Sequence, residues 1–151
     1  MTDFIWEHRV KYYETDKMGL THHSNYIRFM EEARVELLRS WGIDWAALEK
    51  EGILSAVTAL QGNYKNKSGF DDLLRIRVWL QEYSGIRMIF RYEMTQENGE
   101  AVFEGTSEHC FLNEEGRPLR FKRLRPELHE LLRKKAENGG EAKEGSAGGE
   151  G

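Results

Sequence analysis

The sequence predicts an α+β domain in which one long helix packs on a curved antiparallel sheet of about five strands. Three observations carry that expectation. Residues 4–12 alternate, with Phe4, Trp6, His8, Val10 and Tyr12 on one face and Glu7, Arg9 and Lys11 on the other, the period-two signature of a half-buried strand. From Tyr26 the period becomes helical: Tyr26, Met30, Ala33, Leu37 and Trp41 recur at three- or four-residue steps, and Phe29 and Leu38 widen the stripe. After residue 53 the chain returns to strand-like alternation and stays there until a closing helix. A strand, a long helix and then four antiparallel strands is the pattern of a helix layered on a sheet.

The individual elements follow from local chemistry. Ser24 and Asn25 carry side-chain oxygens suited to accept from the first-turn N–H groups of the long helix. Arg28, Glu32, Glu36 and Arg39 form its polar side, and Gly42 is placed to end it. Asp44 to Glu49 adds a short helix closed by Gly52. The run from Ile53 to Leu60, continuing into Asn63-Tyr64-Lys65, is apolar enough for a sheet interior. Leu74, Ile76, Val78 and Leu80 alternate with Arg75, Arg77 and Trp79, and Ile86, Met88, Phe90, Tyr92 and Met94 form the next inward row. Asn98-Gly99 marks a hairpin, since both residues tolerate positive φ. A last strand spans about Ala101 to Leu112, and Pro126 suits the first turn of a helix over Glu127 to Ala136.

Composition narrows the function classes. The chain has 151 residues and a formal net charge of −4. The stretch 136–151 holds Glu137, Glu141, Glu144 and Glu150 against Lys143, which leaves the body nearly balanced. A body without a basic excess is poorly suited to neutralise phosphates, so no nucleic-acid partner is expected. Cys110 is the single cysteine, which excludes an intramolecular disulfide. No basic segment followed by an apolar run opens the chain, and no apolar stretch approaches ~18 residues. A cytoplasmic location and no membrane span are therefore expected. The domain is expected to cover residues 1–135, with 136–151 as a disordered, acidic, Gly-rich tail, because that composition buries too little surface to offset its ordering entropy.

Chemistry is expected where regular structure is interrupted. Tyr12-Tyr13-Glu14-Thr15-Asp16-Lys17-Met18-Gly19 leaves the first strand, and His22-His23-Ser24-Asn25-Tyr26 enters the helix. A carboxylate at a strand exit is thereby set beside unpaired N–H groups at a helix start, where negative charge is favoured. Such parts suit acyl transfer: the carboxylate acts on water as a base or attacks a carbonyl itself, and the helix start takes the oxyanion. On spacing alone the signal is weak, because an Asp and a His in a loop are more often caps and solvated turns.

The full string is more specific. Val10-x-Tyr12-x-Glu14-Thr15-Asp16-x-Met18-Gly19, His23-x-Asn25-Tyr26 and Phe29-x-Glu31-x-Ala33-Arg34 together resemble the hotdog-fold acyl-CoA thioesterases of the 4-hydroxybenzoyl-CoA thioesterase and Tol-Pal-associated type. The resemblance spans roughly Trp6 to Arg125. It implies a long helix wrapped by the sheet, assembled as a homodimer or homotetramer with sites between subunits, and an acyl-CoA substrate hydrolysed to free acid and coenzyme A. It implies Asp16 as the catalytic carboxylate, the backbone N–H of His23 as the oxyanion donor, and Tyr12 as a strand residue facing the same pocket. Asn25, Tyr26 and Tyr64 fall on the substrate side of that motif. No metal or redox cofactor is implied, coenzyme A being part of the substrate. The segment Tyr64-Lys65-Asn66-Lys67-Ser68 departs from the family in carrying Ser68 where many relatives have Pro or Ala.

Other residues are weighed on their own chemistry. Glu14 is expected to be a structural acceptor for loop N–H groups. Asp16 with His22 and His23 lacks a fourth ligand for a metal. Lys65, Lys67, Arg117, Arg120, Lys122, Arg123 and Arg125 could reach coenzyme A phosphates or form a solvated rim. His109 and Cys110, on a strand, suit a buried or interface role. The other reading of the same fold is a non-catalytic module that binds acyl-CoA or acyl-carrier protein. A hotdog dehydratase fits less well, because the second half of the chain lacks a hydratase-type Asp/His motif.

Overall fold

The computed structural model describes residues 3–150, with side chains described through residue 139. Its elements are β1 (Ile5–Arg9), a 3-10 turn (Tyr12–Glu14), α1 (Asn25–Ser40), α2 (Trp45–Lys50), β2 (Leu54–Tyr64), β3 (Leu73–Tyr83), β4 (Arg87–Thr95), β5 (Ala101–Leu112), α3 (Phe121–Leu124) and α4 (Pro126–Glu150). The five strands form one sheet in the order β1-β3-β4-β5-β2, and every pairing is antiparallel. The α+β architecture and strand number match the sequence expectation.

The core lies between α1 and one face of this sheet. Tyr26, Phe29, Met30, Ala33, Leu37 and Leu38 of α1 are buried. They meet Leu74, Ile76, Val78 and Leu80 of β3, Met88, Phe90, Tyr92 and Met94 of β4, and Phe103 and Phe111 of β5. The β3 and β4 rows are those the alternation selects, and burying each large apolar side chain contributes roughly 1.5–3 kcal/mol.

Four details differ from the sequence reading. First, β1 stops at Arg9, so Tyr12 is not on a strand. Glu14 folds its carboxylate back to the Lys11 N–H at 2.7 Å and to His8 Nε2 at 2.8 Å, which closes a 3-10 turn and turns Tyr12 and Tyr13 outward. Second, Ser24 does not cap α1 with its side chain. Its hydroxyl is engaged by His22 Nδ1 at 2.8 Å instead. Third, β2 is an edge strand, not an interior one, because it pairs with β5 alone. Fourth, α4 runs past Ala136. Ala136 packs against the core and Gly139 lies so close to the Leu80 carbonyl that an added Cβ would stand 2.3 Å from it. Packing on the sheet and core thus includes residues 136 and 139. The remainder of the expected tail, residues 140–151, lies outside the described side chains.

Both edges of the sheet have a distinct history. β1 pairs only with Leu73–Arg77, and beyond that point α4 lies along β3, tied by a 2.7 Å hydrogen bond between Tyr83 Oη and His129 Nδ1, while Lys135 sits over the ring of Trp41 at the end of α1. A helix over an edge is one way to cover unpaired strand groups. Among the described residues β2 has no such cover. A bulge between Val57 and Ala59 shifts its alternation, so Ser55, Val57, Leu60, Gly62 and Tyr64 stand opposite Phe111, His109, Ser107, Gly105 and Phe103, the inward row of β5. Val57, Leu60 and Tyr64 nonetheless remain exposed. The edge therefore presents apolar side chains on the helix side of the sheet.

Close approach fixes the β2–β5 pair. A Cβ on Gly105 would sit 2.3 Å from the Gln61 carbonyl oxygen, and one on Gly62 would sit 2.4 Å from the Phe103 ring. Backbone cannot yield as a flexible side chain does. Gly105→Ala is expected to destabilise the fold by about 1–3 kcal/mol, read as a lower midpoint at unchanged slope in urea unfolding.

Candidate functional site

The segment between β1 and α1 is a tight double-back. Thr15 and Thr21 form an isolated antiparallel bridge, and Leu20 bridges to Gly69. The Asp16 N–H donates to the Leu20 carbonyl at 2.8 Å, and Gly19, at φ +78°, closes the turn by donating to the Asp16 carbonyl at 3.0 Å. Positive φ at that position is the reason for glycine. Asp16 sits at the tip of this loop, half-buried. Its Oδ1 accepts from the N–H groups of Met18 at 2.8 Å and Leu20 at 3.1 Å. Those two bonds orient the carboxylate, and among the described residues nothing donates to its other oxygen.

The helix start is held just as closely. The Glu14 carbonyl accepts from the His22 N–H at 2.8 Å and from Asn25 Nδ2 at 2.8 Å. The His22 carbonyl accepts from the Asn25 N–H at 2.9 Å, which fixes the peptide that carries the His23 N–H. Tyr64 at the end of β2 donates its hydroxyl to the His23 carbonyl at 3.0 Å. Among the described residues nothing accepts from the His23 N–H itself. A fixed, unpaired N–H two residues ahead of Asn25, the first residue of a 16-residue helix, suits a developing negative charge. The His23 imidazole is exposed and stacks on His22 with centroids 4.2 Å apart, so the backbone, not the ring, is the constrained feature.

The supporting residues are buried. Glu14 is a structural acceptor, as its position suggested. His8, which sequence reasoning passed over as one more strand residue, contacts Glu14 at 2.8 Å and Glu32 of α1 at 3.5 Å and lies on the Phe29 ring at 4.2 Å. Ser68 is also buried, and its hydroxyl links Thr21 Oγ1 and Tyr26 Oη at 2.7 Å each. Burial raises the Tyr26 phenol above its ordinary pKa. Tyr26 stacks on Phe103 with centroids 5.2 Å apart. Asn25 and Tyr26, expected on the substrate side, are thus buried and engaged with the protein. Tyr12 is 77% exposed, edge-on to Phe70.

The basic residues do not gather in one chain. Lys65 and Lys67 follow β2 at the Tyr64 end, with Lys65 paired to Glu104 at 3.5 Å. Arg117 and Arg123 lie beyond the Leu112 end of β5. Leu54 pairs with Leu112 and Tyr64 with Phe103, so the two groups are separated by the length of β2, roughly 30 Å at strand rise. No three His, Cys, Asp or Glu side chains among the described residues are placed to hold a metal ion. No helix among them is long and apolar enough to cross a membrane.

A second polar cluster lies deeper between α1 and the sheet. Arg34 donates to Tyr92 Oη at 3.1 Å, Tyr92 Oη and Ser107 Oγ are 2.6 Å apart, and Ser107 Oγ is 2.7 Å from His109 Nε2. Burial, and then the Arg34 charge, push His109 down to about 3. His109 is therefore buried, as expected, and neutral at ordinary pH.

The family follows from comparison with known proteins. A family model described as the thioesterase-like superfamily matches residues 10–135. The chain belongs to this superfamily. It is 31% identical over 129 residues to the putative acyl-CoA thioesterase YneP of Bacillus subtilis, covering 85% of this chain and 94% of that one. The structure of a DHNA-CoA thioesterase from Staphylococcus aureus superposes with a TM-score of 0.81 at 36% identity, covering 83% of this chain and 85% of the other. A hypothetical protein from Aquifex aeolicus gives 0.78 at 33% identity, with 86% and 99% covered. The fold is the hotdog fold, and the enzyme class is thioester hydrolase.

Two measurements check these placements. Ser68→Ala leaves two buried hydroxyls short of a partner and is expected to cost about 1–3 kcal/mol, seen in chemical denaturation. His109 binds its proton in the unfolded chain near its ordinary 6.5 but in the fold only at about 3. The unfolded state therefore takes up more protons between those values, and stability is expected to fall as pH drops from about 6.5 towards 3. His109→Gln is expected to flatten that part of the stability–pH curve.

Proposed function

We propose that the protein hydrolyses an acyl-CoA to the free acid and coenzyme A at the loop tip and helix start formed by Asp16 and His23. One observation carries the reading: a carboxylate oriented through one oxygen, on a loop that ends in a fixed helix-start N–H with no protein acceptor. Asp16 takes a proton from water as the hydroxyl adds to the thioester carbon, or attacks that carbon to give an anhydride that water then opens. In either route the carbonyl oxygen gains charge beside the His23 N–H, and the thiolate of coenzyme A departs. A single donor of that kind is worth about 3–4 kcal/mol of transition-state stabilisation. Tyr12, exposed and edge-on to Phe70, contributes surface beside the loop. Coenzyme A enters as part of the substrate, and the chemistry calls for no metal or redox cofactor.

The working unit in this reading is at least a dimer. β2 offers an unpaired edge with Val57, Leu60 and Tyr64 exposed on its helix side, the kind of edge that proteins cover or pair. Pairing two β2 strands antiparallel lays the Leu54 end of one beside the Tyr64 end of the other. It brings Arg117 and Arg123 of one protomer towards Lys65 and Lys67 of its partner, a composite basic rim for the phosphates of coenzyme A. The S. aureus relative makes DHNA-CoA a first substrate to try.

Asp16→Asn keeps the two loop hydrogen bonds in reach but can neither accept a proton nor attack well. It is expected to retain the wild-type melting temperature and to lose about 100-fold or more in kcat, followed by thiol release from a panel of aromatic and aliphatic acyl-CoAs. Unchanged turnover by that variant would remove Asp16 from the mechanism. Binding without thiol release by the wild type would make the protein a carrier module instead.

A further inference from the structure

We propose that the cavity between the start of β1, the end of α1, β3 and α4 is a second ligand site, which takes a small monocarboxylic acid with a compact apolar body. The proposal is independent of the chemistry at Asp16 and His23. The cavity lies at the Trp41 end of α1. The 16 residues of that helix put roughly 24 Å, at helical rise, between it and the helix start.

The observation that carries the proposal is a donor without an acceptor. Trp79 is 7% exposed and lines the cavity, and its Nε1 is buried with no hydrogen-bond partner among the described residues. Cδ1, the ring atom bonded to that nitrogen, faces Gly139, 3.1 Å from where a Cβ would stand there, and Gly139 lines the same cavity. The N–H edge of the indole is thereby turned to the cavity. Arg77 holds the ring in that orientation: its guanidinium lies 4.4 Å from the ring centroid, and Asp3 and Glu93 pair with it at 3.0 Å each. A buried donor carries its full desolvation cost until an acceptor reaches it, and such groups are few in folded proteins. An acceptor oxygen is therefore the first requirement of the ligand.

Lys135 supplies the charge. Its ammonium lies 5.3 Å from the centroid of the Trp41 ring, in the wall of the same cavity. Among the described residues no carboxylate pairs with it, and the nearby acids of α4, Glu130 and Glu137, both go to Arg133. One unbalanced cation and one unmet N–H suit a carboxylate, because charge-assisted hydrogen bonds are stronger than neutral ones. Asp3, also in the lining, repels a second negative charge and so disfavours phosphate dianions and dicarboxylates. Size then fixes the body of the ligand. The cavity measures about 130 Å³, with Phe4, Leu37, Trp41 and Leu80 as apolar walls. An apolar cavity of about 150 Å³ takes up benzene, so the enclosed part is one ring or a short branched chain.

Solution NMR of the full chain, with sodium benzoate as the probe, tests the site. The chain has four Trp and therefore four indole N–H signals. Trp79→Phe identifies the one from Trp79; if that variant does not fold, proximity to the Gly139 protons assigns the signal in the wild type. Benzoate is expected to move it downfield, saturably, as the N–H gains an acceptor. Benzamide, the neutral counterpart, is expected to bind about 10-fold or more weakly, as is benzoate to Lys135→Met. The other indole signals of that variant report that its fold is kept. A Trp79 signal that benzoate leaves unmoved overturns the site. Equal affinity for benzamide, or unchanged affinity in Lys135→Met, overturns the assignment of a carboxylate. Binding is read directly, so none of these results depends on whether the protein hydrolyses thioesters.

Discussion

The buried carboxylate of Glu14 is the constraint on which the rest of the site depends. One oxygen accepts from the Lys11 N–H and from His8, and the main-chain carbonyl of the same residue accepts from His22 and Asn25. A strand exit, a 3-10 turn and a helix start are thereby joined at a single residue. Burying an acid is costly unless it is fully engaged, and here each contact that satisfies it also positions the loop. The His8 ring extends the same contact to Glu32 on α1. Asp16 and His23 are consequently presented by a rigid frame, the condition for precise positioning of reacting groups.

A second constraint comes from the sheet edge. β2 carries the hydroxyl that holds the His23 carbonyl and lines the cavity beside Arg34. Among the described residues its other side has no partner strand. The same strand thus joins the His23 end of the candidate site to the cavity beside Arg34, and the basic residues are divided between its two ends.

Much of this was legible in the sequence, for physical reasons. The α1 stripe and the inward rows of β3 and β4 follow from burial at helical and strand period, which side-chain polarity records directly, whereas β5 turns Gly105, Ser107 and His109 inward and its row was not legible. The loop carrying Asp16 was marked by the break between those periods. Tyr12 was misplaced because the alternation continues through it, while the turn that removes it from the strand depends on the burial of Glu14, a tertiary effect. Ser24 has the chemistry of a cap, but His22 two residues earlier competes for its hydroxyl. The apolar start of β2 suggested an interior strand, whereas β2 pairs with β5 alone, and local apolarity does not record how many neighbours a strand has. Ser68 was visible only as a departure from relatives, and its two hydroxyl partners lie 42 and 47 residues away in the chain.

The most direct measurement is a crystal structure with a non-hydrolysable acyl-CoA analogue in which a methylene replaces the thioester sulfur. The account predicts its carbonyl oxygen within about 2.7–3.1 Å of the His23 N–H, with the free oxygen of Asp16 on the side from which water or the carboxylate attacks. A well-occupied analogue whose carbonyl lies away from both groups would contradict it.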